Sequence, residues 1–177
     1  MTGKRTTLAD IIGTCERAAF RMALQPEAPM REHMRKVQAA LAGRRFPLED
    51  EKQTQAAIAA AFAEAGLTAE REVPVTGGVI DFVVTVSEPS CGTHASGMAA
   101  PLRSMRFRHI GIEVKIKGGA AAIGRQIKGY AAEDGLGHRG AMLRIDGIVL
   151  ATSRPMAMPA EIGGKPVAVV DLGRAWL

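Results

Sequence analysis

The spacing of the apolar residues changes at Gly66, and this change constrains the fold more than any other feature of the sequence. Before Gly66, apolar residues recur every three or four positions, which is typical of amphipathic helices. Three helices are predicted there, over residues 7–22, 30–41 and about 48–65, with the QPEAPM stretch as a break between the first two. After Gly66, segments rich in β-branched residues predict strands over 72–75, 79–86 and 109–118.

The remaining elements complete an α/β pattern. A helix is predicted over 120–133 and two final strands over 145–153 and 165–172. The order ααα-βββ-α-β-β indicates a layered α/β or α+β domain with its helices packed on a mixed central sheet. A chain of 177 residues with 47% apolar and 23% charged residues fits one folded domain, which excludes disorder and a fibrous repeat. The Gly-, Pro- and Ser-rich segment 87–107 is predicted to be a long excursion loop.

The positive charge is concentrated near the N-terminus. Residues 1–46 hold nine Lys and Arg against four acids, whereas residues 47–177 hold fourteen of each sign. We therefore predict a basic N-terminal helical hairpin over 1–46 and a balanced body over 47–177, together forming one compact unit. The basic segment suits a polyanionic partner such as nucleic acid, and a solvated basic helical surface explains the charge equally well.

Several classes of protein and site are disfavoured. No apolar run reaches the length of a membrane span and the first residues lack the apolar core of a signal peptide, so we expect a cytoplasmic protein without a membrane partner. Cys15 and Cys91 lie far apart, and Cys91 with His94 supplies too few ligands for zinc. No phosphate-binding glycine loop is present, so no nucleotide cofactor is expected.

The candidate chemistry lies on two predicted strands. Alternation along Ile112-Glu113-Val114-Lys115 places Glu113 and Lys115 on one face, which is also what an ordinary solvated strand face would show. Asp81 interrupts the apolar run of residues 79–84, and pairing of the two strands would bring it beside Glu113. Two carboxylates in a partly buried place repel each other unless a cation neutralises them, and such hard oxygen ligands suit Mg²⁺ or Mn²⁺.

Glu51 is a third candidate acid. It lies seven residues before Ile58, on the inward stripe of the predicted third helix. The alternative is that Glu51, like its acidic neighbours, only stabilises the positive end of the helix dipole.

Four motifs in this order resemble the PD-(D/E)xK nuclease superfamily: Glu51, Gly78-x-x-Asp81-Phe82, Ile112-Glu113-Val114-Lys115 and Gln126-x-x-x-Tyr130. The resemblance covers residues 48–153, and Ile80 stands where the motif's name has proline. It implies a restriction-endonuclease-like αβββαβ core and a Mg²⁺- or Mn²⁺-dependent phosphodiesterase. The implied metal ligands are Asp81, Glu113 and Val114.

The resemblance also implies roles for the remaining motif residues. Lys115 would be the catalytic lysine, and Glu51 the helix acid that helps to hold metal or water. Gln126 and Tyr130 match the QxxxY element of exonuclease-like members, which supports the site and contacts DNA.

The resulting prediction is a nuclease that hydrolyses DNA phosphodiester bonds, and a homodimer is compatible with the limited surface that so small a chain offers to a duplex. The alternatives are a non-catalytic nucleic-acid-binding or accessory protein on the same fold, a Holliday-junction-resolvase-like enzyme and an RNA-cleaving variant. The side chains predicted to contact nucleic acid are basic: Arg31, Arg35, Arg44, Arg45, Lys117 and Arg125.

Overall fold

The computed structural model describes residues 27–75, 78–90, 104–132, 135–136 and 142–174. Three helices lie in this part of the chain: α1 (Glu27–Leu41), α2 (Glu51–Glu64) and α3 (Ala120–Ala132). The strands are β1 (Ala69–Val75), β2 (Gly78–Ser90), β3 (Ser104–Lys115), β4 (Gly135–Leu136), β5 (Met142–Leu143), β6 (Ile145–Thr152), β7 (Glu161–Ile162) and β8 (Lys165–Asp171). Within these ranges, no helix has the length and apolar character needed to cross a membrane.

Six strands form an open mixed sheet in the order β1-β2-β3-β6-β8-β7. Neighbouring strands run antiparallel from β1 to β3 and parallel from β3 through β6 to β8, and the short β7 is antiparallel to β8. Strands β4 and β5 pair separately. The crossover from β3 to β6 contains α3, as parallel neighbours require a long connection. The predicted α/β class with a mixed sheet is therefore confirmed.

Two hydrophobic cores lie on opposite faces of the sheet. Helices α1 and α2 pack on one face, where Phe62 and Phe82 meet edge to face with centroids 5.7 Å apart. Helix α3 packs on the other face through Ile123, Ile127 and Tyr130. Strand β6 is buried on both sides because it alternates between the two cores.

Local signals explain the bounds of α2. The predicted start near Leu48 is wrong by three residues, because the Asp50 side chain accepts the backbone N–H groups of Lys52 and Gln53 and so caps the helix. The predicted stop at Gly66 is confirmed. Gly66 has φ 70°, and the N–H of Leu67 bonds to the carbonyl of Phe62, which is a Schellman motif.

The N-terminal prediction is tested only in part. The helix predicted over 7–22 lies outside the described residues, whereas α1 confirms the one predicted over 30–41. Helix α1 starts earlier than predicted, at Glu27, within the stretch read as a break; Pro29 lies in its first turn, where proline is tolerated. Helix α1 approaches β6 closely at Gly147, where an added Cβ would lie 2.9 Å from the sulfur of Met34.

The prediction of a loop over 87–107 is wrong at both ends. Strands β2 and β3 pair as far as Ser90 and Ser104, so only residues 91–103 of that segment remain outside the described residues. Partly buried ion pairs hold this two-stranded extension to the rest of the fold. Glu88 contacts His33 of α1 at 3.0 Å, and Arg108 contacts Asp146 of β6 at 3.0 Å.

Candidate active site

At Asp81, the side chains of strand β2 depart from the regular alternation between the two sides of the sheet. In a regular strand Ile80 and Phe82 would lie on the same face. Instead, Ile80 packs in the core under α3, and Phe82 and Val84 pack in the core under α1 and α2. Asp81 therefore lies at the boundary between the two cores rather than within either of them.

Strand β1 makes the same change at the same level. The register pairs Arg71 with Phe82 and Val73 with Ile80, which leaves Glu72 opposite Asp81. Glu72 has φ 51°, a left-handed conformation that is strained for a residue with a Cβ. The Arg71 guanidinium lies 5.7 Å from the Phe82 ring centroid on one face, whereas Val73 is buried in the opposite core. The two strands thus rotate together.

The Asp81 carboxylate lies where β2 and β3 separate. The ladder between these strands reaches Phe82 and Ile112, and beyond it Oδ2 of Asp81 accepts the backbone N–H of Val114 at 2.7 Å. Oδ1 accepts the side-chain amide of Gln55 at 2.8 Å. The predicted proximity of the Asp81 strand to the Glu113 strand is therefore present, and a hydrogen bond from backbone to side chain fixes it.

Glu113 is the most buried acid of this cluster, with 1% of its side chain exposed. Its Oε1 atom accepts the Gln126 amide at 2.7 Å and lies 2.9 Å from the Lys115 ammonium nitrogen. Its Oε2 atom is buried and has no hydrogen-bond partner among the described residues. Such an unpaired carboxylate oxygen is costly and calls for a ligand.

Lys115 lies between two acids. Its Nζ atom is 2.9 Å from Glu113 and 3.8 Å from Oε1 of Glu51, whose side chain is 40% exposed at the start of α2. Burial lowers the pKa of Lys115, but the hydrogen bond to Glu113 and the charges of Glu113, Asp81 and Glu51 outweigh it, so that the pKa is raised overall. Lys115 is therefore a permanent positive charge at neutral pH.

The partly buried Asp81 and the buried Glu113 carry more negative charge than Lys115 can balance. Burial, and then the charge of Asp81, raises the pKa of Glu113 to about 7, although Lys115 acts in the opposite direction. Burial likewise raises the pKa of Asp81 despite its bond to Val114. A single lysine and two nearby carboxylates leave an excess of negative charge in a place of low polarity, and a divalent cation would neutralise it.

The donors present fit a hard metal ion. Asp81 and the unpaired oxygen of Glu113 supply carboxylate ligands, and Val114, whose side chain is buried in the core, could contribute only a backbone carbonyl. In the described ranges, no three His, Cys, Asp or Glu side chains are grouped closely enough to form a complete metal cage. Glu51 is connected to Asp81 and Glu113 by way of Lys115, whose Nζ atom lies 3.8 Å from Oε1 of Glu51.

Gln126 and Tyr130 support this cluster from α3. The Gln126 amide donates to both Glu113 and the Tyr130 hydroxyl, and that hydroxyl donates to the carbonyl of Val79 at 2.9 Å. Burial, and then the charge of Glu113, raises the pKa of Tyr130, so the phenol stays protonated. The predicted pair is therefore in contact with Glu113 and with the start of β2.

The basic residues predicted to contact nucleic acid differ from one another in their partners and exposure. Arg35 pairs with Glu32 on α1, and Arg44 pairs with Glu64 of α2. Lys117 is exposed and lies beyond β3, because that strand ends at Lys115, where the N–H of Ser153 donates to the backbone; the predicted strand 109–118 is therefore three residues too long at this end. Arg125 is exposed on α3, and Arg31 and Arg45 lie near the two ends of α1.

Gln55 is a site residue that the sequence analysis missed. It lies one turn after Glu51, so the two share a face of α2, and this spacing was the signal available in the sequence.

A scan against protein-family models, a search of curated proteins and a search of solved structures found no match for this chain. A functional assignment therefore depends on the geometry of the cluster.

Proposed function

We propose that this protein is a metal-dependent nuclease of restriction-endonuclease-like architecture that hydrolyses DNA phosphodiester bonds. The observation that carries the proposal is the Glu113 carboxylate: it is buried, its Oε2 atom is unpaired, and its Oε1 atom is held by Gln126 and Lys115. A solvated strand face would not bury an acid in this way. The order of α2, β1, β2, β3, α3 and β6 supports the finer architecture, because it corresponds to αβββαβ.

Each residue of the cluster has a chemical task in this proposal. Asp81 and Glu113 would hold Mg²⁺ or Mn²⁺, which when bound would supply Lewis acidity toward water and the scissile phosphate. Lys115 remains protonated, so its task is to stabilise the negative charge that develops on the phosphate rather than to accept a proton. Glu51 lies on the solvent side of Lys115, where its exposed carboxylate can orient a water molecule or accept its proton.

The test is cleavage of labelled DNA and RNA of several shapes by the purified chain in Mg²⁺, in Mn²⁺ and in chelator. Asp81→Asn and Glu113→Gln should abolish metal-dependent cleavage, because each removes one charged ligand at nearly constant volume. Lys115→Ala should slow single-turnover cleavage by about 100-fold or more, the scale seen when one preorganised charge is lost. Equilibrium binding of the Lys115→Ala variant in Ca²⁺ should change little.

Lys117→Ala is the matched control, because it removes an exposed cation two residues further along the chain. It should weaken binding slightly and leave the rate at saturation unchanged. Normal cleavage by Lys115→Ala would refute the mechanism. Binding without cleavage on every substrate would favour a non-catalytic nucleic-acid-binding protein, and cleavage of RNA or junctions alone would change the substrate.

A further inference from the structure

The two central acids are each held by a glutamine from a different helix. The Gln55 amide of α2 donates to Oδ1 of Asp81 at 2.8 Å, and the Gln126 amide of α3 donates to Oε1 of Glu113 at 2.7 Å. These helices pack on opposite faces of the sheet. The same type of neutral donor therefore reaches the acid pair from both sides.

Gln55 is in an unfavourable place for an amide unless the bond to Asp81 matters. It is 9% exposed and lies on the buried side of α2, one residue after the buried Thr54 and three before Ile58, which is fully buried. Burying an amide costs free energy unless it is hydrogen-bonded. An apolar side chain would fill this position without that cost, so packing alone does not account for a glutamine.

We infer that Gln55 is a positioning residue for the cation held by Asp81 and Glu113, an inference that rests on the proposed function. Its amide fixes the rotation of the Asp81 carboxylate about its bond to Cβ, while the N–H of Val114 fixes the second oxygen. Two bonds of this kind leave the remaining lone pairs of the carboxylate in one orientation. Hydrogen-bond partners behind the ligands commonly set metal affinity in this way.

A neutral donor suits this task better than a basic one. A lysine or arginine at position 55 would also orient Asp81, but its charge would compete with the cation for the same carboxylate. The amide orients the ligand and leaves its charge available to the metal. The positive charge of the cluster comes instead from Lys115, whose ammonium group lies near Glu113 and Glu51.

The experiment measures cation binding directly, by following free Mn²⁺ with electron paramagnetic resonance during titration of the full chain. Gln55→Met keeps the length and volume of the side chain but removes the amide, and should weaken Mn²⁺ binding about 10- to 100-fold. Gln53→Met is the matched control, since Gln53 is exposed on the same helix, and its Mn²⁺ affinity should equal that of the wild type. In the cleavage assay, Gln55→Met should need more Mn²⁺ but regain turnover at high Mn²⁺.

The outcomes separate this inference from the proposed function. If the wild type binds Mn²⁺ and Gln55→Met binds it equally well, the inference is overturned and the proposed function stands. If the wild type does not bind Mn²⁺, both fail. Should Gln55→Met not fold in chelator, Gln55→Asn replaces it, because its amide is one methylene too short to reach Asp81, and the same loss of affinity is expected.

Discussion

Replacing Glu113 with Gln should change how the stability of the metal-free protein depends on pH. In the unfolded chain Glu113 ionises near 4.5, whereas burial and the charge of Asp81 raise its pKa in the fold to about 7. The folded state therefore holds a proton that the unfolded state has already lost. Consequently, the contribution of Glu113 to the free energy of unfolding is fully present below pH 4.5 and is lost as the pH rises through 7.

The expected size follows from the two pKa values. Each pH unit between them corresponds to about 1.4 kcal/mol, so full ionisation of Glu113 costs the fold about 3 kcal/mol. Between pH 5.5 and 8.5 about 2 kcal/mol of this penalty should appear, a measurable part of the roughly 5–15 kcal/mol that stabilises a typical domain. Glu113→Gln cannot ionise and should lack this decrease. The variant also loses the contact with Lys115, which changes its stability as a whole, so the comparison is between the slopes of the two curves and not between their heights.

Urea denaturation in chelator at constant ionic strength, at several pH values from 5.5 to 8.5, measures this difference. The exposed Glu161 offers a control, and Glu161→Gln should follow the wild-type slope. Parallel curves for the wild type and Glu113→Gln would refute the view that a buried, crowded carboxylate lies at the centre of the site. Adding Mg²⁺ at pH 8 should stabilise the wild type more than Glu113→Gln, because binding to the folded state adds to its stability.

Three further predictions concern strain, support and charge. Glu72→Gly should raise the free energy of unfolding by about 1 kcal/mol by relieving a left-handed conformation, whereas Glu70→Gly in the same strand should lower it by about 0.5–1 kcal/mol in thermal melts. Tyr130→Phe should cost about 1 kcal/mol in urea denaturation, because it removes the donor to the Val79 carbonyl. Replacing four arginines with Ala should flatten the dependence of log affinity for DNA on log salt, and an unchanged slope would exclude them from the interface. These arginines are Arg31, Arg35, Arg44 and Arg45.

The elements that depend on local signals were predictable from the sequence. Helices α2 and α3 and strands β6 and β8 carry their own periodicity and lie within a few residues of the predicted bounds. The meeting of the Asp81 and Glu113 strands was also predictable, because strands adjacent in the sequence commonly pair. The extension of β2 past Val86 was not, because Ser87-Glu88-Pro89-Ser90 has a loop-like composition and becomes a strand only by pairing with residues beyond position 103.

The details of the site depend on contacts between residues far apart in the sequence. Gln55 and Asp81 are 26 positions apart, and no local pattern indicates that one would donate to the other. The change of face at Asp81 is hidden for a different reason. Residues 82–84 are all apolar, so the same composition fits either face and alternation cannot reveal where the strand rotates.

The two glutamines belong to helices that pack on opposite faces of the sheet. A small shift of α2 would turn the Asp81 carboxylate, and a small shift of α3 would turn that of Glu113, but neither would change the spacing between the two backbones. The sheet therefore sets the distance between the two acids, and each helix independently sets the orientation of one carboxylate. Substitutions in the two cores could for this reason alter the orientation of one acid at a time, which allows the geometry of the pair to be tuned in two separate steps.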